Sequence, residues 1–266
     1  MNGAMEPLLD VQALTMSFGG LRALDGVSLR VQPGEVVALI GPNGAGKTTF
    51  FNCITGIYRP SGGDIFVTPP GRKRRRLNGL KTHQVTAQGL ARTFQNIRLF
   101  PGMTVLENVM IGRHCRTRAG VLGAILRDPQ TRREEREIVE RSYAILEKIG
   151  LADQVNELAK NLPYGDQRRL EIARAMATEP FLLLLDEPAA GMNPRETDAL
   201  EALIRRICDE EGIAVLLIEH DMRIVMSISN RIYVLDYGKK IASGTAAEIW
   251  ENPVVIKAYL GEETED

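Results

Sequence analysis

Three short apolar runs stand out along the chain, and polar or glycine-rich residues follow each of them at once. The runs are Val36 to Ile40, Phe181 to Leu185 and Ile213 to Ile218. All three are rich in leucine or β-branched residues and polar on neither face, which is typical of buried parallel strands. Ligands bind beyond the carboxyl ends of the strands in an open parallel sheet, so the following segments form the candidate site. These segments are Gly41 to Thr49, Asp186 with Glu187, and Glu219 with His220.

Alternating apolar and polar residues elsewhere predict antiparallel strands. Leu8 to Thr15 and Gly26 to Val31 alternate in this way, so an antiparallel layer is expected beside the parallel sheet. Ile232 to Ala242 holds two such segments around a Tyr-Gly pair, the pattern of a hairpin. The chain therefore belongs to the α/β class, with a mostly parallel sheet and additional antiparallel strands.

The middle of the chain predicts a helical subdomain. From about Pro101 to Asn161 the strand patterns vanish and the density of charge rises. Apolar residues recur there at helical spacing before Gly150 ends the helix. They are Val139, Tyr143, Leu146 and Ile149. We assign 96–164 to this subdomain, and 1–95 with 165–266 to the core.

Two local patterns complete the map. Thr245 and Glu248 have the spacing of a capping box, which predicts a closing helix that carries Ile249, Trp250, Val254 and Tyr259. Arg72 to Arg76 is a run of five basic residues flanked by proline and glycine, so it predicts a loop. We favour a solvated surface for this run over contact with anionic lipid.

Composition narrows the class of protein. The 266 residues are 44% hydrophobic and 25% charged, close to the averages of globular proteins. A net charge of -1 lacks the positive field of a protein that coats nucleic acid. Cys53, Cys115 and Cys208 show no CxxC spacing, which indicates reduced thiols rather than disulfides or a zinc site. The apolar runs are far shorter than the roughly 20 residues that cross a bilayer, and the first ten residues lack the pattern of a signal peptide.

The segment Gly41 to Thr49 fits the phosphate-binding loop pattern, and it lies between a buried strand and a predicted helix. Its glycines allow backbone N–H groups and the helix N-terminus to point at phosphates. Lys47 then reaches the β and γ phosphates, and the Thr48 hydroxyl ligates magnesium. An ordinary glycine-rich turn is the alternative, and the placement of lysine and threonine disfavours it. The candidate phosphate-binding residues are Asn43, Gly44, Gly46, Lys47, Thr48 and Thr49.

Two acids and a histidine follow the other buried strands. Asp186 is expected to serve magnesium, while Glu187 orients and deprotonates the attacking water. Unpaired negative charge at a buried strand end is costly, so a cation should lie nearby. His220 is a candidate hydrogen-bond donor to the γ phosphate. Solvated acids in a plain turn and a surface histidine are the alternatives.

Taken together, the motifs resemble the ordered set of ABC ATPases. The phosphate loop is followed by four segments in the family's order. They are Leu162 to Arg169, Leu185 to Pro188, Ala190 to Pro194 and Glu219 to Asp221. The match covers nearly the whole chain. It is specific, because P-loop kinases, GTPases and helicases lack the segment at Leu162. The resemblance implies a P-loop, RecA-like core with an antiparallel β layer and an inserted helical subdomain.

The resemblance also implies roles that the residues alone do not reveal. Phe18 looks like the aromatic residue that stacks on adenine, with an ordinary buried phenylalanine as the alternative. Gln95 is similar to the glutamine that senses magnesium and water and relays to the membrane domain; the alternative is a polar loop residue. Asn193 lies in the loop that couples two sites. Tyr164, Gly165 and Asp166 resemble the signature that covers the γ phosphate of the opposite subunit's ATP.

A further resemblance concerns the type of transporter. Asn252 to Glu262 looks like the tail of ATPases from high-affinity branched-chain amino acid importers, and the inserted residues around Arg72 and from Arg113 to Arg133 favour the longer of their two paired ATPases. Urea or amide importers and the lipopolysaccharide export ATPase share much of this tail and remain alternatives. A DNA-repair or translation ABC protein and a metabolic kinase are disfavoured.

This resemblance implies ATP and Mg2+ as ligands and two ATPase subunits that sandwich two nucleotides. The other implied partners are two membrane permease subunits and, indirectly, an extracytoplasmic solute-binding protein, at the cytoplasmic face of the membrane. Pro163 departs from the family's usual serine and can donate no hydrogen bond, and Asp166 stands where glutamine is usual. We therefore predict a heterodimer whose second ATPase has a more regular signature. The alternative is that Tyr164 and Asp166 are normal for the subfamily, that backbone N–H groups near Gly165 suffice, and that Pro163 is tolerated, which leaves a homodimer open.

Overall fold

The computed structural model describes residues 6–113 and 129–260 of the chain. Cys115, most of the insertion from Arg113 to Arg133, and Gly261 and Glu262 of the tail lie outside the described residues. The strands are β1 (Leu9–Phe18), β2 (Leu21–Val31), β3 (Val36–Ile40), β4 (Gly62–Val67), β5 (Arg75–Arg76), β6 (Leu90–Arg92), β7 (Leu182–Asp186), β8 (Ala214–Ile218), β9 (Arg231–Asp236) and β10 (Lys239–Gly244). The α-helices are α1 (Lys47–Ile54), α2 (Thr82–Ala87), α3 (Val105–Arg113), α4 (Pro129–Ile149), α5 (Tyr164–Met176), α6 (Pro194–Asp209), α7 (Met222–Ile228), α8 (Ala246–Trp250) and α9 (Pro253–Leu260).

The chain divides into two compact units. The first unit comprises Met1–Arg92 and Phe181–Asp266, and the second comprises Thr93–Pro180. The predicted subdomain, 96–164, begins three residues later and ends at Tyr164, the first residue of α5, whereas the second unit continues to Pro180. The physical reason is packing, because α5 lies against α3 and α4 of the second unit.

A six-stranded sheet organises the first unit, in the order β10-β9-β3-β8-β7-β6. Strand β3 pairs in parallel with β8 and β9, and β7 pairs in parallel with β8 and β6. All residues of β3, β7 and β8 are buried, as the three apolar runs predict. Since these strands are parallel, the residues after Ile40, Leu185 and Ile218 emerge at one edge of the sheet.

A second, antiparallel sheet has the order β2-β1-β4-β5, which confirms the predicted antiparallel layer. Its inner side chains share one apolar core with α1, whose Phe50 and Phe51 are fully buried. Burial of a phenylalanine stabilises the fold by about 1.5–3 kcal/mol. The sheet therefore holds α1, and with it the loop that precedes α1, in a fixed place.

All five residues of the basic run, Arg72 to Arg76, are exposed, as expected for a solvated surface, but the run is not a loop throughout. Its last two residues form β5, in which Arg75 pairs with Val67 of β4. Arg74 lies 2.7 Å from a carboxylate oxygen of Asp10 and stacks over the Phe66 ring. Three arginines of the run thus have local partners, because the adjacent strands present acids and an aromatic ring to them.

The second unit is helical in its described part, and α4 ends at Ile149 before Gly150, which has φ of +73°. The predicted apolar stripe is only partly correct. Leu146 and Ile149 are buried, but Val139 and Tyr143 are 39% and 41% exposed. Ser142 takes the buried position one turn before Leu146, so the stripe is rotated and the two exposed residues lie at its border.

The end of the first unit confirms two predictions and corrects one. Strands β9 and β10 form the hairpin, with positive φ at Tyr237 and Gly238. The Thr245 side chain accepts a hydrogen bond from the Glu248 N–H, and Glu248 completes the capping box. The single closing helix is wrong, because α8 ends at Trp250 and Pro253 begins α9. Proline lacks an N–H and favours the first turn of a new helix.

Candidate functional site

The phosphate-binding loop connects β3 to α1 and requires glycine at two closely packed positions. A Cβ on Gly41 would overlap the carbonyl of Leu235, and a Cβ on Gly46 would lie 2.6 Å from the Ala23 oxygen. Gly46 also has φ of +100°, a conformation that strongly favours glycine. The backbone can follow this path only because these positions lack side chains.

Lys47 is the first residue of α1, and its ammonium group lies inside the loop. Its Nζ donates hydrogen bonds to the carbonyls of Gly41, at 2.6 Å, and Pro42, at 2.9 Å. Burial lowers the pKa of Lys47, while the charges of Glu187 and Asp186 oppose that shift. One cation therefore lies within the electrostatic reach of both acids and of any phosphate held by the loop.

The other predicted phosphate-binding residues surround this lysine on the surface of the first unit. Asn43, Gly44 and Thr48 are exposed, and Thr49 is half-buried. The N–H groups at the start of α1 have no partner within the helix, and the helix dipole places partial positive charge there. No acidic residue lies in the first turn of α1. The loop therefore presents donors and positive potential to an anion.

Asp186 ends β7 and is 5% exposed. Arg92 is a cation of the kind expected beside Asp186, and its Nη2 lies 2.6 Å from Oδ2 of Asp186. Arg92 also donates to Oδ1 of Asn52 on α1, at 2.7 Å. The sequence reasoning missed this arginine, although it stands only three residues before Gln95. A buried ion pair thus joins the ends of β6 and β7 to α1.

The oxygen donors here suit Mg2+. Asp186 uses Oδ2 for Arg92, and its other carboxylate oxygen and the hydroxyl of Thr48 are hard ligands. In residues 6–113 and 129–260, no cluster of three or more His, Cys, Asp or Glu side chains forms a metal site. Mg2+ usually takes one or two protein carboxylates and completes its shell with water and substrate phosphates.

Glu187 adopts a strained backbone, with φ of +46°. Its N–H donates to the carbonyl of Ile218 at 2.9 Å, which continues the pairing of β7 with β8. Its carboxylate is 23% exposed, and Oε2 lies 3.8 Å from Nδ1 of His220. The His220 side chain is 63% exposed. A partly exposed carboxylate and an imidazole thus lie together at the carboxyl edge of the sheet.

Glu219 is a second residue whose importance the sequence reasoning missed. It is 1% exposed, and its carboxylate accepts hydrogen bonds from the N–H groups of Ala189 and His220. Its position directly after β8 could have indicated a role in the site, since Glu219 with His220 was among the candidate segments. Its partner Ala189, thirty residues away in sequence, was not visible from the sequence.

Phe18 lies at the end of β1 and is 42% exposed, so it is not an ordinary core phenylalanine. Its ring meets that of Tyr58 edge-on, with 5.3 Å between the centroids. The exposed face of an aromatic ring held in this way is available for stacking.

The remaining predicted site residues lie in the second unit. Gln95 and Tyr164 are exposed and Gly165 is buried. Arg168 is fully buried and donates to the carbonyls of Phe94 and Gln95, each at 2.7 Å. This arginine ties the start of α5 to the backbone at Gln95.

Three further residues that the sequence analysis singled out lie at or near the starts of helices. Pro163 is the N-cap of α5, with φ of -53°, and its side chain makes no capping hydrogen bond. Asp166 forms an ion pair with Arg169 and accepts a hydrogen bond from Gln154, so much of its charge is neutralised locally. Asn193 caps α6 through its side chain, which accepts from the Glu196 N–H at 3.1 Å.

Family models match two parts of the chain. The model described as "ABC transporter" matches residues 24–190, and the model "Branched-chain amino acid ATP-binding cassette transporter" matches residues 239–265. The high-affinity branched-chain amino acid transport ATP-binding protein LivG of Salmonella typhimurium is 51% identical over 97% of this chain and 99% of its own. The chain belongs to the ABC transporter ATP-binding protein family.

Other members of the ABC family are similar over the same length. BraF of Pseudomonas aeruginosa, named as a high-affinity branched-chain amino acid transport ATP-binding protein, is 51% identical over 96% of this chain and 98% of its own. The lipopolysaccharide export system ATP-binding protein LptB of Acidithiobacillus ferridurans is 35% identical over 97% and 99% of the two chains. A solved structure, the ADP conformation of MJ1267, an ATP-binding cassette of an ABC transporter, superimposes with a TM-score of 0.82 at 32% identity, over 97% of this ABC protein and all of that chain.

None of the helices in the described part of this ABC protein is both long enough and apolar enough to cross a membrane.

Proposed function

We propose that this chain binds and hydrolyses ATP to power the import of branched-chain amino acids through separate membrane subunits. The observation that carries the proposal is the meeting of Lys47, Asp186, Glu187 and His220 at one edge of the parallel sheet. The likeness to LivG and BraF at 51% identity supports the solute class. LptB, at 35%, makes lipopolysaccharide export the weaker candidate, and urea or amide import is a further alternative.

The residues of the first unit divide the work of hydrolysis. Glu187 orients the attacking water and accepts its proton. Lys47 and the N–H groups at the start of α1 bind the β and γ phosphates, and His220 donates a hydrogen bond to the γ phosphate. Thr48 and Asp186 would hold Mg2+, which would neutralise phosphate charge. Phe18 stacks on the adenine.

The second unit supplies the part of the site that acts on a partner. Tyr164, Gly165 and Asp166 cover the γ phosphate bound to a second ATPase subunit, so that two subunits enclose two nucleotides. Gln95 transmits the state of the site to the permease, and Asn193, a residue of the first unit, couples the two nucleotide sites. Two membrane permease subunits and an extracytoplasmic solute-binding protein complete the transporter, and the chain works at the cytoplasmic face of the membrane.

The unusual signature supports a heterodimer. Pro163 caps α5 without a hydroxyl, so the signature of this chain donates less to the partner's γ phosphate than one with serine. The partner's nucleotide site, which Pro163 covers, is then the slower of the two. Single-turnover hydrolysis in the assembled complex tests this, with the catalytic glutamate mutated in each subunit in turn and then with Pro163→Ser. Equal rates at both sites and no effect of Pro163→Ser would remove the asymmetry.

The solute is tested by reconstitution. The full chain is co-purified with its membrane partners and placed in liposomes, and ATPase activity is measured with the binding protein and each candidate solute. We expect stimulation by leucine, isoleucine or valine and none by urea. Stimulation by urea alone, or by lipopolysaccharide alone, would assign the chain to the corresponding alternative.

A further inference from the structure

Glu219 is the most deeply buried acid at this edge of the sheet. Its side chain is 1% exposed, compared with 23% for the Glu187 side chain. Oε1 accepts a hydrogen bond from the Ala189 N–H at 2.9 Å, and Oε2 accepts from the His220 N–H at 3.0 Å and the Asp221 N–H at 3.3 Å. A buried carboxylate needs such donors, because burial without them is costly. Glu219 therefore joins the segment after Glu187 to the segment that carries His220.

The segment that Glu219 holds contains the strained residue of the site. Glu187 has φ of +46°, which is unfavourable for a residue with a side chain. Such a conformation persists only where the surroundings determine it. Two hydrogen bonds hold the strained residue and the segment that follows it, and both acceptors lie at the end of β8. They are the Ile218 carbonyl, for the Glu187 N–H, and the Glu219 carboxylate, for the Ala189 N–H.

We propose that Glu219 is a positioning residue that holds the Glu187 turn against the His220 loop. The inference rests on the proposed function, since it takes Glu187 as the base. Nδ1 of His220 lies 3.8 Å from a carboxylate oxygen of both Glu187 and Glu219, so the three side chains form one cluster. Misplacement of a reacting group by about 1 Å can lower a rate a hundredfold. Glu219 thus acts on turnover through the geometry of Glu187.

Two substitutions separate the contact with Ala189 from the other bonds. Glu219→Asp keeps the charge and can still accept from the N–H groups of His220 and Asp221, as an aspartate does in a local turn. It is one methylene shorter and does not reach Ala189. Glu219→Gln keeps the length but turns an amide NH2 towards backbone donors. We expect both variants, in the assembled transporter, to lower kcat by about ten- to a hundredfold, with the Kd for ATP within about twofold of the wild type.

A matched control is available on the opposite edge of the same sheet. Glu35 is buried, accepts from the Gln32 N–H at 2.8 Å and pairs with Arg231 just before β3. Glu35→Gln also removes a buried carboxylate, so it reports the general effect on stability. We expect its melting temperature to fall at least as far as that of Glu219→Asp, with kcat unchanged.

A double mutant shows whether Glu219 acts through Glu187. Once Glu187→Gln has removed the base, adding Glu219→Asp should not lower the residual rate further. Two results would overturn the inference: a kcat of Glu219→Asp equal to that of the wild type, or a rate of the double mutant that falls below that of Glu187→Gln by the full factor seen for Glu219→Asp alone. Normal turnover of Glu187→Gln alone would instead remove Glu187 from its proposed role, so the two failures are distinguishable.

Discussion

The ion pair between Arg92 and Asp186 offers the sharpest test of the energetics of the site. Its side chains are 8% and 7% exposed, and the two charged atoms lie 2.6 Å apart. Arg92→Met keeps an apolar chain of similar length but leaves Asp186 buried without this cation. Removal of one partner from a buried pair costs about 3–5 kcal/mol, because the remaining charge is uncompensated. Lys47 offsets part of this cost, so we expect the lower half of that range.

A surface pair in the same chain provides the control. Arg76 and Asp64 also lie 2.6 Å apart, but their side chains are 59% and 39% exposed. Arg76→Met should therefore cost less than about 1 kcal/mol. Urea unfolding of the purified chain gives both free-energy changes, and Asp186→Asn added to Arg92→Met should recover part of the loss. Equal costs for the two arginine variants would refute the argument from burial.

Three further predictions concern nucleotide binding and pH. Lys47→Ala should weaken ATP binding in an equilibrium assay, since it removes the charge that faces the β and γ phosphates; unchanged affinity would remove Lys47 from that role. Phe18→Ala should weaken ATP binding by about 1–3 kcal/mol and GTP binding similarly, and equal affinities would disprove the stacking. Burial alone would raise the pKa of Asp10, but Arg30, Gln12 and Arg74 hold it below the ordinary value. Its ion pairs therefore add stability above about pH 4 that is lost as the pH falls. The difference in free energy of unfolding between the wild type and Asp10→Asn should shrink in acid, and a difference that stays constant with pH would contradict this.

Much of the fold was predictable because the buried strands carry their signal locally. The three apolar runs match β3, β7 and β8 within one residue at each end. The phosphate loop, the hairpin and the Thr245 cap likewise depend on residues that are close in sequence. The break between α8 and α9 also has a local signal, Pro253 at the start of α9, which the prediction of a single closing helix did not use.

The two missed contacts and the wrong boundary at α5 share a physical cause, since each depends on contacts between residues that are distant in sequence. Arg92 meets Asp186 across 94 positions and Glu219 meets Ala189 across thirty, and no local pattern reveals either contact. The helix α5 joins the second unit because of its packing against α3 and α4. The strained φ of Glu187 is also invisible in sequence, because glutamate has no preference for it.

Replacing Glu187 by glutamine in the assembled transporter tests whether hydrolysis at this site drives transport. ATP hydrolysis, ATP affinity and uptake of leucine into liposomes are measured together, beside the wild type. We predict that ATP affinity stays within about twofold, that turnover falls about a hundredfold or more, and that uptake is lost with it. Near-normal turnover or sustained uptake by this variant would contradict the central claim that hydrolysis at this site drives transport.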